Sequence, residues 1–382
     1  MAVLPSIEPS NDSCDDNGLQ IRTGTLRTGV AHIITAVIGS GVLSLAWSVA
    51  QLGWIAGPLS MFCFAVVTYV SSFLLSDCYR YPDPVTGARH HSYMEAVKTY
   101  LGRKQTWICG LLQFVNLYGV GVAYVITTST SMRAIQRSDC FHKEGHRAPC
   151  AYGDNFYMLL FGAIQIACSQ IPDFHNMELL SILAAVMSFS YSSIGFGLGF
   201  AKVIGNGMVK GSISGVHTST TPQKVWKVTQ ALGDIAFAYP YSIILIEIQV
   251  YSQPVFAVVE RWCAEKFPNN GFVNSFYTLR FSLLPVVRIN LLRLCFRTCY
   301  VLSTTGIAIA FPYFNQVLGV LGALNFWPLT IYFPVEMYFI QKKIQPWTRR
   351  WIVFQSFSFV CLIVTLVTLV GSVEGIISAK LG

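Results

Sequence analysis

Apolar residues in this chain gather into nine blocks, which charged, proline-containing or polar stretches separate. An α-helix of about 20 residues crosses the hydrocarbon core of a bilayer. The blocks do not alternate with period two, as the strands of a membrane barrel do. The pattern therefore predicts nine membrane-crossing helices, over residues 28–51, 53–76, 106–131, 155–171, 178–204, 229–249, 294–313, 316–340 and 351–377.

Composition agrees with this pattern. Hydrophobic residues make up 53% of the chain and charged residues only 12%, whereas about a quarter of the residues in a soluble domain are charged. We therefore expect an all-α polytopic membrane protein in which residues 26–382 form one transmembrane domain. Residues 1–25 lack the basic start and apolar centre of a signal peptide, and they are predicted to form a disordered cytosolic tail.

The distribution of charge predicts an orientation. If the N-terminal tail is cytosolic, most of the 26 Lys and Arg residues fall in cytosolic loops, as the positive-inside rule requires. A net charge of +8 could indicate nucleic-acid binding, but these residues flank membrane segments and form no basic patch interleaved with aromatic residues. Membrane topology explains the charge better, so we expect a lipid bilayer as partner and no nucleic acid. The sequence contains no catalytic constellation or metal-ligand cluster, so we expect neither an enzyme nor a cofactor.

Two of the predicted crossings are interrupted. The first contains Gly39-Ser40-Gly41 inside "AVIGSGVLSLAW", and glycine is unfavourable within a helix. The sixth contains Pro240 inside "ALGDIAFAYPYSIILIEIQ", and proline removes a helical hydrogen bond. Broken helices five segments apart are typical of inverted-repeat transporters, in which the half-helix ends bind the charged groups of the substrate. The alternative for the glycines is close helix packing.

Four stretches resemble the plant amino acid permeases of the amino acid/auxin permease family: residues 31–47, 231–249, 251–262 and 321–344. The resemblance implies a LeuT-like fold of eleven helices and proton-coupled amino acid symport, usually at the plasma membrane. Here, however, Val250 joins Gln249 directly to Tyr251, where the family has a polar loop and two more crossings. The second repeat is therefore expected to be incomplete. The alternative function is a non-transporting isoform that binds or regulates a full-length permease.

The resemblance also implies a substrate site, in which main-chain groups of the two breaks bind the amino acid and the third crossing lines the cavity. For Asn116 and Tyr118 the alternative role is interhelical hydrogen bonding. The expected substrate-binding residues are Ile38, Gly39, Ser40, Gly41, Val42, Asn116, Tyr118, Phe237, Ala238 and Tyr239.

His32 and Asp234 are candidates for proton coupling. Histidine titrates near working pH, and a carboxylate within a membrane span is costly and usually functional. The alternatives are a packed, hydrogen-bonded role for His32 and a helix cap or an ion pair with Lys202 for Asp234.

Cys140 and Cys150 share a polar loop that the predicted orientation places outside the cell, where a disulfide persists. We expect them to form one. The alternative is a pair of free thiols.

Overall fold

The structure is a computed structural model that describes residues 30, 34, 38, 40–90, 92–145, 147–170, 178–240, 253–268, 270–279 and 287–381. The predicted tail, His32, Gly39 and the end of the sixth predicted crossing lie outside the described residues.

Helices dominate the described part of the chain. They are α1 (Ser40–Asp77), α2 (Tyr93–Leu101), α3 (Arg103–Glu144), α4 (Asn155–Ser169), α5 (Glu178–Asn206), α6 (Thr221–Ala238), α7 (Gln253–Lys266), α8 (Gly271–Asn274), α9 (Leu291–Ala310), α10 (Phe314–Asn325), α11 (Phe333–Gln341) and α12 (Arg349–Leu381). A π-helical segment, Phe326–Tyr332, joins α10 to α11. Two short antiparallel hairpins pair β1 (Arg80–Tyr81) with β2 (Ala88–Arg89) and β3 (Phe276–Leu279) with β4 (Val287–Asn290).

Within the described residues, five helical stretches are long and apolar enough to cross a membrane: Ser44–Asp77, Arg103–Glu144, Ile182–Asn206, Phe314–Gln341 and Arg349–Leu381. The fourth predicted crossing is the shorter apolar helix α4, and the sixth is described only as far as the end of α6 and Pro240. A mostly helical, multi-pass architecture follows. The total of nine crossings stays a prediction.

The first two predicted crossings are joined in α1, which bends at Gly53. Gly53 has φ 87°, a left-handed conformation that glycine tolerates and most residues do not. A Cβ at this position would also collide with the main chain of Ile213 and Gly215. The bend therefore lies at the boundary that the hydrophobic pattern predicts between residues 51 and 53.

Four helices form the centre of the described fold: α1, α6, α10 and α12. Ala231, Ile235 and Ala236 of α6 are buried against apolar side chains of its neighbours. Glycines allow close approach here, because a Cβ at Gly322 of α10 would collide with the carbonyl oxygen of Gly233. In contrast, a Cβ at Gly197 of α5 would meet no described atom within 4 Å. α6 is therefore enclosed by protein, whereas α5 lies at the periphery of the described residues.

Cys140, near the end of α3, forms a disulfide with Cys150 in the loop before α4. The Cα atoms of the two residues are 6.1 Å apart. Arg133 of α3 forms an ion pair with Asp154 at 2.7 Å in the same region. The disulfide and the ion pair together fix the α3–α4 connection.

Candidate functional site

The two interrupted crossings meet in the structure. The N–H of Ile38 donates to the carbonyl oxygen of Ile34 at 2.7 Å, in the helical i to i−4 pattern. Ile38 itself lies in a bend, and α1 begins at Ser40. In the other crossing, α6 ends at Ala238, shortly before Pro240. A Cβ at Gly41 would lie 2.8 Å from both the Cα and the Cβ of Ala238. The main chains of the two breaks are therefore in direct contact, and glycine at position 41 permits that contact.

Helix ends carry main-chain groups that have no partner within the helix. The N–H groups at the start of α1 and the carbonyl groups at the end of α6 are of this kind. The start of a helix also has a partial positive charge and its end a partial negative charge. Because Gly41 touches Ala238, the N–H donors at the start of α1 lie close to the carbonyl acceptors at the end of α6.

The other predicted main-chain residues surround this contact. Tyr191 of α5 donates its hydroxyl hydrogen to the carbonyl oxygen of Ile38. Ser40 and Val42 flank Gly41 in the first turn of α1. A Cβ at Gly322 of α10 would lie 2.5 Å from the main-chain nitrogen of Phe237. Tyr239, which follows the end of α6, is half-buried.

Asp234 lies about one turn before the end of α6 and is completely buried. The Ser48 hydroxyl donates to Asp234 Oδ2 at 3.1 Å, and the same hydroxyl is 3.0 Å from the carbonyl oxygen of Ser44. Asp234 Oδ1 has no hydrogen-bond partner among the described residues. A Cβ at Gly319 of α10 would lie 3.0 Å from Oδ1, so the carboxyl group is pressed against the main chain of α10.

The two alternative roles for Asp234 are wrong. Lys202 is exposed on α5, and the ion pairs of the described residues do not include one between Lys202 and Asp234. Thr220 caps the start of α6 by accepting from the N–H of Gln223, whereas Asp234 lies in the helix interior. The carboxyl group is therefore held by hydroxyl and main-chain neighbours.

Asn116 of α3 faces α10. Its Oδ1 accepts from Asn325 Nδ2 at 3.5 Å, and a Cβ at Gly119, one turn later, would collide with Leu321. The interhelical contact that we considered as the alternative for Asn116 is present. A substrate contact stays a prediction.

Tyr118 lies in an aromatic cluster on another side of α3. Its ring centroid is 5.4 Å from that of Tyr300 in α9 and 6.1 Å from that of Phe114. Two residues along a helix correspond to about 200° of rotation, so Asn116 and Tyr118 cannot both point at the breaks from one regular helix. Of these two residues, the structure brings Asn116 towards α10 and packs Tyr118 against α9.

Sequence reasoning missed three polar residues near the breaks: Ser48, Asn325 and Ser372. The side chains of Asn325 and Ser372 are buried, and each has an oxygen without a partner among the described residues. Ser44 and Ser48 are one helical turn apart on α1, a spacing that indicates a shared polar face. The only cluster of metal-ligand type among the described residues is Cys140, Glu144 and Cys150, and the disulfide occupies both of its sulfur atoms.

Long apolar helices, a mostly helical architecture and buried polar groups at paired helix ends define a multi-pass membrane protein of the transporter class. Comparison with known proteins supplies the family. The chain matches the family described as transmembrane amino acid transporter protein over residues 22–251 and 248–378. It belongs to this family.

Several curated relatives come from Arabidopsis thaliana. Probable amino acid permease 7 is 48% identical over 442 positions, which cover 94% of this chain and 95% of the relative. Amino acid permease 3 is 44% identical, with 95% and 93% covered. The more distant lysine histidine transporter-like 6 is 25% identical, with 91% and 90% covered.

The comparisons also show that the chain is shortened internally. An alignment of 442 positions is longer than the 382 residues of this chain, so the relative has residues without a counterpart here. The two ranges that match the family meet at residues 248–251. The expected junction between Gln249 and Tyr251 lies within that overlap.

Proposed function

We propose that this protein is a proton-coupled amino acid symporter, which binds its substrate where the breaks of the first and sixth crossings meet. The contact between Gly41 and Ala238 carries the proposal, because it joins the start of one helix to the end of another inside the protein. The relatives named as amino acid permeases support it. The proposal includes a LeuT-like arrangement with an incomplete second repeat, nine crossings and a plasma-membrane location.

The chemistry of the paired helix ends suits a zwitterion. Free N–H groups at the start of α1 would bind the α-carboxylate, because anions are stabilised at a helix start. Free carbonyl groups at the end of α6 would bind the α-ammonium group, since the helix end is partially negative. One amino acid would therefore satisfy both sets of main-chain groups, and an amine or a carboxylic acid alone would satisfy only one.

We assign the coupling proton to Asp234. Its carboxyl group is completely buried and has no basic partner in an ion pair of the described residues. A protonated carboxyl group buries no net charge, whereas a bare carboxylate in this place would require compensation. Ser48 links the carboxyl group to the carbonyl oxygen of Ser44, and the Ser44 hydroxyl donates to the carbonyl oxygen of Gly41 at 2.8 Å. This chain of contacts connects Asp234 with the break in α1.

The coupling role is tested by uptake of a radiolabelled amino acid into a transport-deficient yeast strain, with and without a proton gradient. Wild-type uptake should fall when the gradient is collapsed. Asp234→Asn keeps the size of the side chain but cannot exchange a proton, so any residual uptake should no longer respond to the gradient. Glu374→Gln is the matched control, since Glu374 accepts from Ser378 at 2.6 Å within α12. Gradient-dependent uptake by Asp234→Asn would refute the assignment.

The internal shortening favours a second candidate function. A chain that lacks the two crossings expected after Gln249 would have lost one wall of the substrate site, and it could instead bind or regulate a full-length permease. Protein that reaches the membrane without any flux, and that alters the uptake of a co-expressed full-length permease, would support this alternative. Flux through the chain expressed alone would exclude it.

A further inference from the structure

A pair of amide side chains, the buried Asn325 and the half-buried Asn116, lies beside the two breaks and is not used in the mechanism above. Asn325 is the last residue of α10, and the backbone changes to a π-helix directly after it. π-Helical turns inside α-helices occur frequently at functional sites. Asn325 is buried and belongs to Phe314–Gln341, whose most apolar 18-residue stretch is 67% buried, the largest share among the apolar spans of the described residues. Its polar side chain therefore faces protein and not lipid.

The position of Asn325 follows from the residues one turn before it. Leu321 contacts α3, because a Cβ at Gly119 would collide with its side chain. Gly322 contacts α6, because a Cβ at this position would lie 2.5 Å from the main-chain nitrogen of Phe237. Residues three and four apart share one face of a helix. Asn325 therefore lies on the face of α10 that is directed between α3 and the end of α6.

Hydrogen bonding fixes the orientation of the Asn325 amide. Its Nδ2 is 3.0 Å from the carbonyl oxygen of Leu321, which only accepts. The nitrogen must occupy that position, because an amide oxygen there would meet another acceptor. Asn325 Oδ1 consequently points elsewhere, and it has no partner among the described residues although the residue is only 4% exposed.

Asn116 completes the pair. Its Oδ1 accepts weakly from Asn325 Nδ2 at 3.5 Å, which leaves its own Nδ2 as a donor without a hydrogen bond to the described residues. The pair thus offers one acceptor, Asn325 Oδ1, and one donor, Asn116 Nδ2. A primary carboxamide has the complementary set, with an NH₂ donor and a carbonyl acceptor.

We propose that Asn325 and Asn116 are specificity-determining residues that recognise a carboxamide on the side chain of the substrate, as in glutamine. This inference rests on the proposed amino acid site, because the breaks would hold the α-carboxylate and α-ammonium groups. A carboxylate side chain places an acceptor against Asn325 Oδ1, and an aliphatic side chain leaves Asn325 Oδ1 and Asn116 Nδ2 without a hydrogen-bond partner. Buried polar groups left unpaired by a substrate disfavour its binding.

The test is equilibrium binding of L-glutamine, L-glutamate and L-leucine to the purified full chain in detergent. Wild-type protein should bind L-glutamine more tightly than the other two amino acids. Asn325→Leu, which is similar in size but apolar, should weaken L-glutamine binding about tenfold relative to L-leucine, the effect of one hydrogen bond to a buried group. Thr365→Val is the matched control, because it removes a different buried polar group, a hydroxyl on α12 that also has no hydrogen-bond partner among the described residues.

The outcomes separate this inference from the proposed function. If both proteins bind L-leucine, and the ratio of the affinities for L-glutamine and L-leucine is the same in the wild type and in Asn325→Leu, the inference is overturned and the amino acid site stands. Absence of binding by all three amino acids overturns both. If Asn325→Leu does not fold, Asn116→Leu at the half-buried partner provides the same comparison, with the same expected loss of preference.

Discussion

The segment that follows the junction depends on a buried ion pair between α7 and α9. Arg297 Nη2 lies 2.9 Å from Glu260 Oε1, and its Nε donates to the same oxygen at 3.0 Å. Arg297 also donates to the carbonyl oxygen of Ser169 at the end of α4 and lies over the ring of Phe256 at 5.1 Å. Its side chain is only 8% exposed. One arginine thus connects three helices.

A second arginine on α9 provides an internal control. Arg293 Nε lies 2.9 Å from Glu260 Oε2, but its side chain is 43% exposed. Removing one partner of a buried ion pair typically costs about 3–5 kcal/mol, whereas an exposed pair contributes at most about 1 kcal/mol. Arg297→Met should therefore lower the free energy of unfolding by about 3–5 kcal/mol. Arg293→Met should lower it by less than about 1 kcal/mol.

The measurement is denaturant-induced unfolding in mixed micelles, followed by the fluorescence of the eight tryptophans. The double variant Glu260→Leu with Arg297→Met removes both buried charges, so it should be more stable than Arg297→Met alone. Equal losses for Arg297→Met and Arg293→Met would refute the reasoning, because Arg297 is buried and also contacts Ser169 and Phe256, whereas Arg293 is 43% exposed. A double variant less stable than Arg297→Met would refute it as well.

Three further results are expected. Replacing both Cys140 and Cys150 by serine should lower stability by about 2–3 kcal/mol, since the bridge closes a loop with a sequence separation of 10; unchanged unfolding in non-reducing conditions would contradict this. Burial lowers the pKa of His90, so the unfolded chain takes up the proton first as pH falls through about 6.5 and stability should decline below that pH. His90→Gln should remove this dependence of stability on pH. Hydrogen exchange of the β1–β2 hairpin at pH 7.5 and pH 5.5, both about one unit from 6.5, measures it. An unaltered pH dependence in the variant would exclude His90 as its source. Gly319→Ala should lower the free energy of unfolding by about 1–3 kcal/mol, because its Cβ would lie 2.7 Å from Ser372 Oγ. Gly197→Ala should leave it unchanged. Equal effects of the two substitutions on unfolding would show that the close packing at Gly319 is unimportant.

The hydrophobic pattern predicted the helical architecture because each crossing is a local property of the sequence. Gly53 lies at the boundary between the first two predicted crossings, and the chain bends there. The interruptions at Gly39-Ser40-Gly41 and Pro240 were also visible, since glycine and proline act on the backbone directly. The bend at Ile38 and the end of α6 at Ala238 lie beside those residues.

The partners of polar side chains could not be predicted in the same way. Ser48 and Asp234 are 186 residues apart, and Asn116 and Asn325 are 209 residues apart, so a local pattern does not connect them. Lys202 was the wrong partner for Asp234 because the packing of α5 and α6, and not their hydropathy, decides which side chains meet. The carboxamide hypothesis required the acceptor at Leu321, which fixes the Asn325 amide.

The central claim is that the two helix breaks meet and hold an amino acid. Equilibrium binding of L-alanine to purified Gly41→Ala protein, compared with the Gly197→Ala control, tests it most directly. The added methyl group at position 41 would lie 2.8 Å from the Cα of Ala238 and must separate the breaks, whereas the methyl group at position 197 meets no described atom within 4 Å. We predict that Gly41→Ala binds L-alanine about tenfold more weakly or worse, and that Gly197→Ala binds it as the wild type does. Equal binding by the two folded variants would contradict the account.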